Sequence, residues 1–552
     1  MDLSSLARGP RTAGRLAQIV AILCKYSLAD WLKAVNVRPI RRFLTGFDGQ
    51  PIAGLPTEVR IRMALTEMGA TFIKLGQILS TRPDVVGPVL AQELSSLRDN
   101  TPADPPERAR ALIEAELHRP IQELFAEFED KAFASASIGQ VHRARLHDGR
   151  RVVVKVLHHN IENNVATDLD IMTALADLGE KYSSELRNYR PCATTREFRR
   201  SLLRELDFCR ELRNIQEFSH HFKDDRTVRF PMPHPSLSSR RVLTLDYLDG
   251  ICISDVAHLK SAGHDPQTIA RRGADIVLSM IFRDGFYHAD PHPGNLLVLE
   301  DTVIGVLDSG MVGRLDDNMR EAFTSMLLAA LANDSGQLTD LVLHLARVPP
   351  DLDRDAFEFE LHDFLADYGS QSLNQFDVSG ALNGLIDIVR RYHLLLPANL
   401  ALLLKALIVL EGTSRQLDRS FSLAEMIQPY FHRALREKLS PRRFLRRLRR
   451  TLWGWDHLLR TLPGDVGDIL DRTKRGQFKF YLEHRRLETS LGLLVEGLVS
   501  ASLFLGSTLL LGHRVLPEPW FNVSIPGSLG AVSSSFLIWR VLRATKKSRN
   551  EI

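Results

Sequence analysis

Apolar residues recur along the chain with two periods, and the switches between them mark its organisation. Leu65, Met68, Phe72, Leu75 and Leu79 return at three- and four-residue steps, which predicts one amphipathic helix over 56–80. Lys74 and Gln77 lie off this stripe, about 130° to 170° from its centre, on a shared face whose default reading is solvent. A Pro- and Glu-rich stretch opens 100–131 and gives way to a helix around Ile113, Leu117, Ile121 and Leu124. The period then shortens. Runs at 137–146 and 150–157 flank His147-Asp148-Gly149, an Asp-Gly hairpin signal. Residues 193–218 read as one long charged helix, and 242–250 as a strand entering a turn. Helical spacing fills 266–285 and 318–430, and 399–410 is apolar enough for a buried core helix. Between these lie two short apolar runs, 296–299 and 302–307, separated by Glu300-Asp301. A tight hairpin there sets residues whose numbers sum to about 601 opposite each other.

The two ends carry different patterns. Residues 491–511 are almost wholly apolar, and at about 1.5 Å per residue they span a hydrocarbon core of about 30 Å. Their flaw is Glu496, toward one end. A weaker span follows at 525–542, broken by Gly and Ser and ending at Arg540, a composition that a packed helix pair tolerates. Arg485 and Arg486 precede the pair and Arg543, Lys546, Lys547 and Arg549 follow it, so both ends are expected in the cytoplasm, with 517–525 as the far turn. At the amino terminus Arg8, Arg11 and Arg15 precede the apolar stretch 16–23 without a small-residue cleavage site. This predicts an amphipathic interfacial helix rather than a secretory signal, with a mitochondrial presequence as the alternative.

Composition narrows the picture. The chain has 552 residues, 44% hydrophobic and 25% charged, enough for one large folded domain or two. A net charge of +4 is small for this length and gives no global reason to expect nucleic acid. Locally, 433–450 is very basic, with Arg442, Arg443, Arg446, Arg447, Arg449 and Arg450 among apolar residues and Trp453 and Trp455 following. Membrane lipid is the expected partner of that cluster. Cys24, Cys192, Cys209 and Cys252 are scattered, without a CxxC pair, which fits a reducing compartment.

Candidate chemistry centres on His288-Ala289-Asp290-Pro291-His292-Pro293-Gly294-Asn295 and, beyond an apolar run, Asp308-Ser309-Gly310. Asn295 follows Asp290 by five positions and Asp308 follows Asn295 by thirteen, the spacing of a kinase catalytic loop and its metal-binding aspartate. Asn295 and Asp308 are the candidate Mg²⁺ ligands, and Asp290 is placed to accept or orient a proton. A zinc site on His288, Asp290 and His292 is disfavoured, because Pro291 and Pro293 forbid the helix that would align both imidazoles.

Lys155, alone among valines in the second strand, is the candidate phosphate-binding cation. Its acidic partner lies among Glu205, Asp207 and Glu211, with Glu211 favoured. Ala134-Ser135-Ala136-Ser137-Ile138-Gly139 stands where a kinase has its glycine-rich phosphate loop, and alanine lacks glycine's access to positive φ. Asp246 and Leu248 fall at the expected hinge against the adenine.

In order and spacing these segments, with Lys74-Leu75-Gly76-Gln77 and Glu205-Leu206-Asp207, closely resemble the UbiB family of atypical, protein-kinase-like proteins linked to ubiquinone biosynthesis. The resemblance covers about 55–420. It implies an α+β, bilobal kinase-like fold that binds ATP and Mg²⁺, with the segment bearing Lys74 and Gln77 over the active site. Lys74, Gln77, Glu205 and Asp207 are then its gating residues, and ordinary protein-kinase activity is blocked. The implied activity is an ATPase or small-molecule kinase acting with a lipid or small-molecule substrate and with quinone-biosynthesis enzymes. An ATP-binding, non-catalytic scaffold or lipid chaperone is the alternative, and a homodimer is compatible with either.

The expected domains are an interfacial region at 1–54, the helical extension at 55–131, the small lobe at 132–250 and the large helical lobe at 251–430. A basic juxtamembrane region at 431–488 and a transmembrane hairpin at 489–545 complete the chain. The expected place is a bacterial inner membrane with the body in the cytoplasm, ahead of a mitochondrial inner membrane. The phosphate acceptor is left open.

Overall fold

The computed structural model describes residues 10–28, 55–97, 101–182, 191–369, 376–438, 487–512 and 525–549. Two units are present, Met1–Ser440 and Pro441–Ile552. The basic cluster at 442–450 lies outside the described residues.

The first unit begins with α1 (Pro10–Lys25), α2 (Thr57–Met68), α3 (Ala70–Ser80), α4 (Pro83–Val86) and α5 (Pro88–Ser95). The single helix expected over 56–80 is two, because Gly69 stands between them at φ +94, a conformation costly to residues with a Cβ. Both halves of the stripe still share one core, in which Leu65, Met68 and Phe72 bury with Ile19, Ile22 and Leu94. The interfacial reading of the described amino-terminal helix is corrected by the same core. Ile19 and Val20 of α1 are 1% and 3% exposed, and Arg15 Nε meets Asp168 Oδ1 at 2.7 Å, so its apolar side is covered by protein.

Next come α6 (Pro106–Leu117), α7 (Ile121–Leu124), β1 (Glu127–Phe128), β2 (Ala134–Ser135), β3 (Gly139–Arg145) and β4 (Arg151–Leu157). Left-handed His118 and the following Pro120 divide α6 from α7, where one helix was expected. The chain continues through α8 (Ile161–Tyr182), α9 (Pro191–Glu205), α10 (Phe208–His221), β5 (Val228–Arg229), β6 (Val242–Asp246) and β7 (Ile251–Cys252). The helix expected over 193–218 is also divided: Asp207 accepts from the Cys209 N–H at 3.1 Å and starts α10 as its N-cap.

Strands β1-β3-β4-β6, with β2 also on β3, make a five-stranded antiparallel sheet. Its strand alternation decides where chemistry can sit. Val152, Val154 and Val156 of β4 pack in one core with Ile113 and Ile121 of α6 and α7, so Val153 and Lys155 face the other way. Gly139 permits the close approach of the start of β3 to β4, since a Cβ there would lie 2.6 Å from the Val156 carbonyl oxygen.

The larger lobe holds α11 (Val256–Ser261), α12 (Pro266–Ser279), β8 (Phe286–His288), β9 (Leu296–Val298), β10 (Ile304–Val306) and β11 (Val312–Arg314). Helices α13 (Asp317–Leu331), α14 (Ser335–Leu345), α15 (Arg354–Gly369), α16 (Val378–Arg391), α17 (Ala398–Leu417) and α18 (Leu423–Lys438) complete it. Its strands form a four-stranded sheet, β5-β10-β9-β7, and the antiparallel pair β8-β11. In the β9–β10 hairpin Val298 faces Ile304 and Leu296 faces Val306, a register one residue from that expected. The turn takes three residues, Glu300-Asp301-Thr302, with Asp301 and Thr302 at φ 57 and 58. The core helix expected at 399–410 is α17, in which Leu403, Leu404 and Leu407 are buried.

The second unit contains α19 (Leu487–Gly512) and α20 (Ile525–Arg549), packed on each other. The expected transmembrane pair is not found as such: among the described residues, no helix is long and apolar enough to cross a membrane. The part of α19 whose side chains are described is confined to 495–511.

Candidate active site: a cleft between sheet and helices

The outward face of β4, the start of α10 and the ends of β8 and β10 enclose a cleft of about 2190 Å³. Lys155 projects into it from β4, and its Nζ lies 2.5 Å from Glu211 Oε1 in the first turn of α10. Burial opposes charge on Lys155, but Asp308 and Glu211 outweigh this and raise its pKa. Burial likewise raises the Glu211 pKa, against the opposing pull of Lys155. Asp308 shows the reverse balance. Desolvation would raise it, yet the Lys155 charge and the Gly310 N–H hold it down to about 2. That N–H donates to Asp308 Oδ1 at 2.6 Å, and Asn214 Nδ2 donates to the Ser309 carbonyl at 2.9 Å, tying Asp308-Ser309-Gly310 to α10.

The loop after β8 is fixed from both sides. Ala289 N–H donates to the Met311 carbonyl at 3.0 Å, and Leu307 N–H donates to the Asn295 carbonyl at 2.9 Å, so Asp308 follows directly on the paired residue. Asp290 N–H donates to His288 Nδ1 at 3.0 Å, which makes that nitrogen the acceptor and puts the neutral ring's proton on Nε2. Burial lowers the His288 pKa and favours this neutral form. Asn295 Nδ2 is turned to the Asp290 carbonyl at 3.5 Å. Its amide oxygen and the ionised Asp308 carboxylate are hard donors, a set that fits Mg²⁺.

The remaining expected residues are distributed around these. Lys74 Nζ lies 3.3 Å from Glu205 Oε2, joining α3 to α9, and Gln77 Nε2 donates to the Leu97 carbonyl at 3.4 Å. Both line the cleft. Asp207 lines it too while capping α10. Ala134, Ser135, Ala136, Ile138 and Gly139 line it as well, as do Asp246, the last residue of β6, and Leu248 just beyond it. Ser137 is the exception in its loop. It is 0% exposed and outside the lining, so its side chain is removed from the expected nucleotide contacts. The Asp246 carboxylate is engaged by His234 Nε2 at 2.8 Å, which leaves its main chain, rather than its charge, for the hinge role.

Two contributors were not identified in the sequence. His158 Nε2 contacts the Ala136 carbonyl at 2.9 Å and its Nδ1 faces Asp104 Oδ2 at 3.2 Å, pinning the alanine-rich loop from behind. Lys405 of α17 lies 3.2 Å from Asp290 Oδ1. Its signal was a lone lysine in an apolar helix, the same kind of signal that marked Lys155 in its strand.

The ABC1 atypical kinase-like domain matches residues 96–342, and the UbiB helical domain matches 361–422. The sequence is 31% identical over 535 residues to a probable protein kinase UbiB of Aeromonas hydrophila, covering 94% of this chain and 97% of that protein. A probable protein kinase UbiB of Marinobacter nauticus is 33% identical over 463 residues, covering 83% and 85%. Among solved structures, that of the Rv3197–erythromycin complex from Mycobacterium tuberculosis is similar at 21% identity with a TM-score of 0.42, covering 66% of this chain and 93% of that one. With kinase-like and helical domains in succession and similarity over nearly its full length, the chain belongs to the UbiB family of atypical kinase-like proteins.

Proposed function

We propose that this protein binds ATP with Mg²⁺ in the cleft and transfers the terminal phosphoryl group, in support of ubiquinone biosynthesis at a membrane. The observation that carries the reading is the convergence of Lys155, Asp308, Asn295 and Asp290 on one cavity from three separate segments: β4, the loop after β8 and the end of β10. Lys155, held by Glu211, supplies the fixed positive charge for the α- and β-phosphates. Asn295 and Asp308 would hold Mg²⁺, which when bound supplies charge neutralisation between phosphate oxygens. Asp290 orients the acceptor hydroxyl or water. The Lys74–Glu205 bridge lines the cleft and favours a small-molecule or lipid acceptor over a folded protein.

The second unit supports attachment to a bacterial inner membrane with the first unit in the cytoplasm. Val495, Leu498, Leu505 and Leu509 of α19 and Leu529, Val532, Phe536 and Trp539 of α20 are all exposed. Quinone-synthesis enzymes and membrane lipid are the proposed partners. The Lys74–Glu205 cover also favours a second reading, in which ATP is a conformational ligand of a scaffold or lipid chaperone.

The test measures ATP affinity and Mg²⁺-dependent turnover in the full chain. Asp308→Asn should weaken Mg²⁺-dependent nucleotide binding by about tenfold or more, since a neutral amide is a poor replacement for a carboxylate on a hard cation. Asp290→Asn should retain binding and lose turnover by about a hundredfold. Unchanged affinity in Asp308→Asn removes the metal assignment. Tight binding without turnover in the wild-type protein selects the scaffold.

A further inference from the structure

Among the described residues of the helical domain, Lys405 is the one that reaches the reacting end of the cleft with a charge. It is carried by α17 between Leu404 and Ala406, which are 2% and 0% exposed, while its own side chain is 14% exposed and lines the cavity. An ammonium in such a helix needs a partner, and the partner is the Asp290 carboxylate, 3.2 Å away at Oδ1. The placement is rigid. Tyr287 Oη, in the strand leading into the catalytic loop, donates to the Asn399 carbonyl in the first turn of α17 at 2.7 Å. The helix and the loop are therefore fixed to each other at a second point.

Resting on the phosphoryl-transfer reading above, we propose that Lys405 is the positioning residue for Asp290, so that the helical domain completes the active site of the kinase-like domain. The ammonium engages Oδ1 and so turns Oδ2 to the acceptor. His292 Nε2 is 3.9 Å from Oδ2, too far to bind it as a hydrogen-bond donor. In the transfer step the acceptor oxygen forms a bond to the terminal phosphorus of ATP while the bond from that phosphorus to the ADP oxygen breaks. The acceptor proton passes to Asp290 Oδ2 and then to water. Held in this way, Asp290 keeps one orientation through the step, and the lost freedom lowers the barrier rather than the binding energy of ATP.

A purely structural pair gives a different outcome, because removing one member of a buried ion pair lowers stability by stranding the other charge, without acting selectively on the catalytic step. The experiment compares wild type, Lys405→Met, Lys405→Arg, Asp290→Asn and the Lys405→Met/Asp290→Asn double variant, measuring ATP affinity, kcat for ATP turnover and melting temperature. Lys405→Met should lower kcat by about tenfold or more with ATP affinity within about twofold, and Lys405→Arg should recover most of the loss. In the Asp290→Asn background the same change should cost less than about twofold, since the group it positions is gone. Equal kcat in Lys405→Met and wild type, or fully additive losses in the double variant, overturns the assignment and leaves the phosphoryl-transfer reading standing. Absence of turnover in wild type overturns that reading, and the assignment of Lys405 with it. If Lys405→Met does not fold, Lys405→Gln is measured in its place under the same criteria.

Discussion

His142 is 0% exposed beneath the β lobe, and its two ring nitrogens have separate partners. Nδ1 faces the Glu129 carbonyl at 2.9 Å, so it carries the proton. Nε2 faces Gln140 Nε2 at 2.8 Å, and because Gln140 Oε1 already accepts from the Asp104 N–H at 2.6 Å, the Gln140 amide must donate to the ring. The ring is thus neutral, and burial lowers its pKa below the usual 6.5. The unfolded chain takes up a proton near that value while the folded one does not, so stability contributed by this site is present above about pH 6.5 and lost as the pH falls below it. Urea unfolding of wild type should show stability dropping between about pH 7.5 and 5.5, with a shallower drop in His142→Gln. Parallel curves for the two proteins would show that His142 titrates alike folded and unfolded. The network has a functional end, since Asp104 also binds the His159 N–H at 2.7 Å and faces His158, which contacts the alanine-rich loop.

These residues also show what single positions reveal. Asp290, Asn295, Asp308 and Lys155 were legible because each stood in a spacing or an apolar context that chemistry alone explains. His158 was not, because its meaning lies in its contact with Ala136, and Lys405, though it stands in an apolar context as Lys155 does, has no motif spacing to tie it to its distant partner Asp290.

At the scale of elements, periodicity identified the helices and missed their breaks. Gly69 and Asp207 interrupt patterns whose apolar spacing runs on across them, since a stripe can continue in space after the backbone has turned. The β9–β10 register failed similarly, because turn length was read as two residues where Asp301 and Thr302 both take positive φ. The breaks serve the site. After the break at Gly69, α3 brings Lys74 to Glu205, the last residue of α9, and the turn at Asp207 starts α10 anew so that Glu211 meets Lys155. Lys74 removes no part of the Leu65, Met68 and Phe72 core, and its positive charge also bears on Asp308. Lys74→Ala should therefore weaken ATP affinity by about threefold or more while shifting the melting temperature by less than about 2 °C. Titration calorimetry beside a thermal melt decides it. Unchanged affinity with unchanged stability would leave the Lys74–Glu205 bridge without a part in nucleotide binding.

At the scale of the whole molecule, the two units place their apolar surface in opposite ways. The first encloses Phe218, Phe323 and Phe357 in one core. Among the described residues of the second, the buried ones are serines and the large apolar ones lie outward: Ser500 and Ser534 are 0% exposed, while Leu505 is 65% and Val532 is 71% exposed. The buried hydroxyls are bonded within their own helices, Ser500 Oγ to the Glu496 carbonyl and Ser507 Oγ to the Leu503 carbonyl, each at 2.6 Å. Gly530 lets the helices approach, because a Cβ there would lie 2.2 Å from Ser507 Oγ. Glu496, the flaw in the apolar run, is met by Arg540 of the partner helix at 2.5 Å. Under the membrane attachment proposed above, lipid rather than water would face that apolar side. A chain ending at Tyr481 should accordingly lose carbonate-resistant membrane association and retain only a salt-sensitive fraction through its arginine cluster, and one ending at Ser440 should lose that fraction as well. Glu496→Leu, which removes one charge and strands Arg540, should weaken the helix pair without releasing the protein from membranes. Carbonate-resistant association of the chain ending at Ser440 would place the anchor within the first unit and reduce the hairpin to an accessory contact.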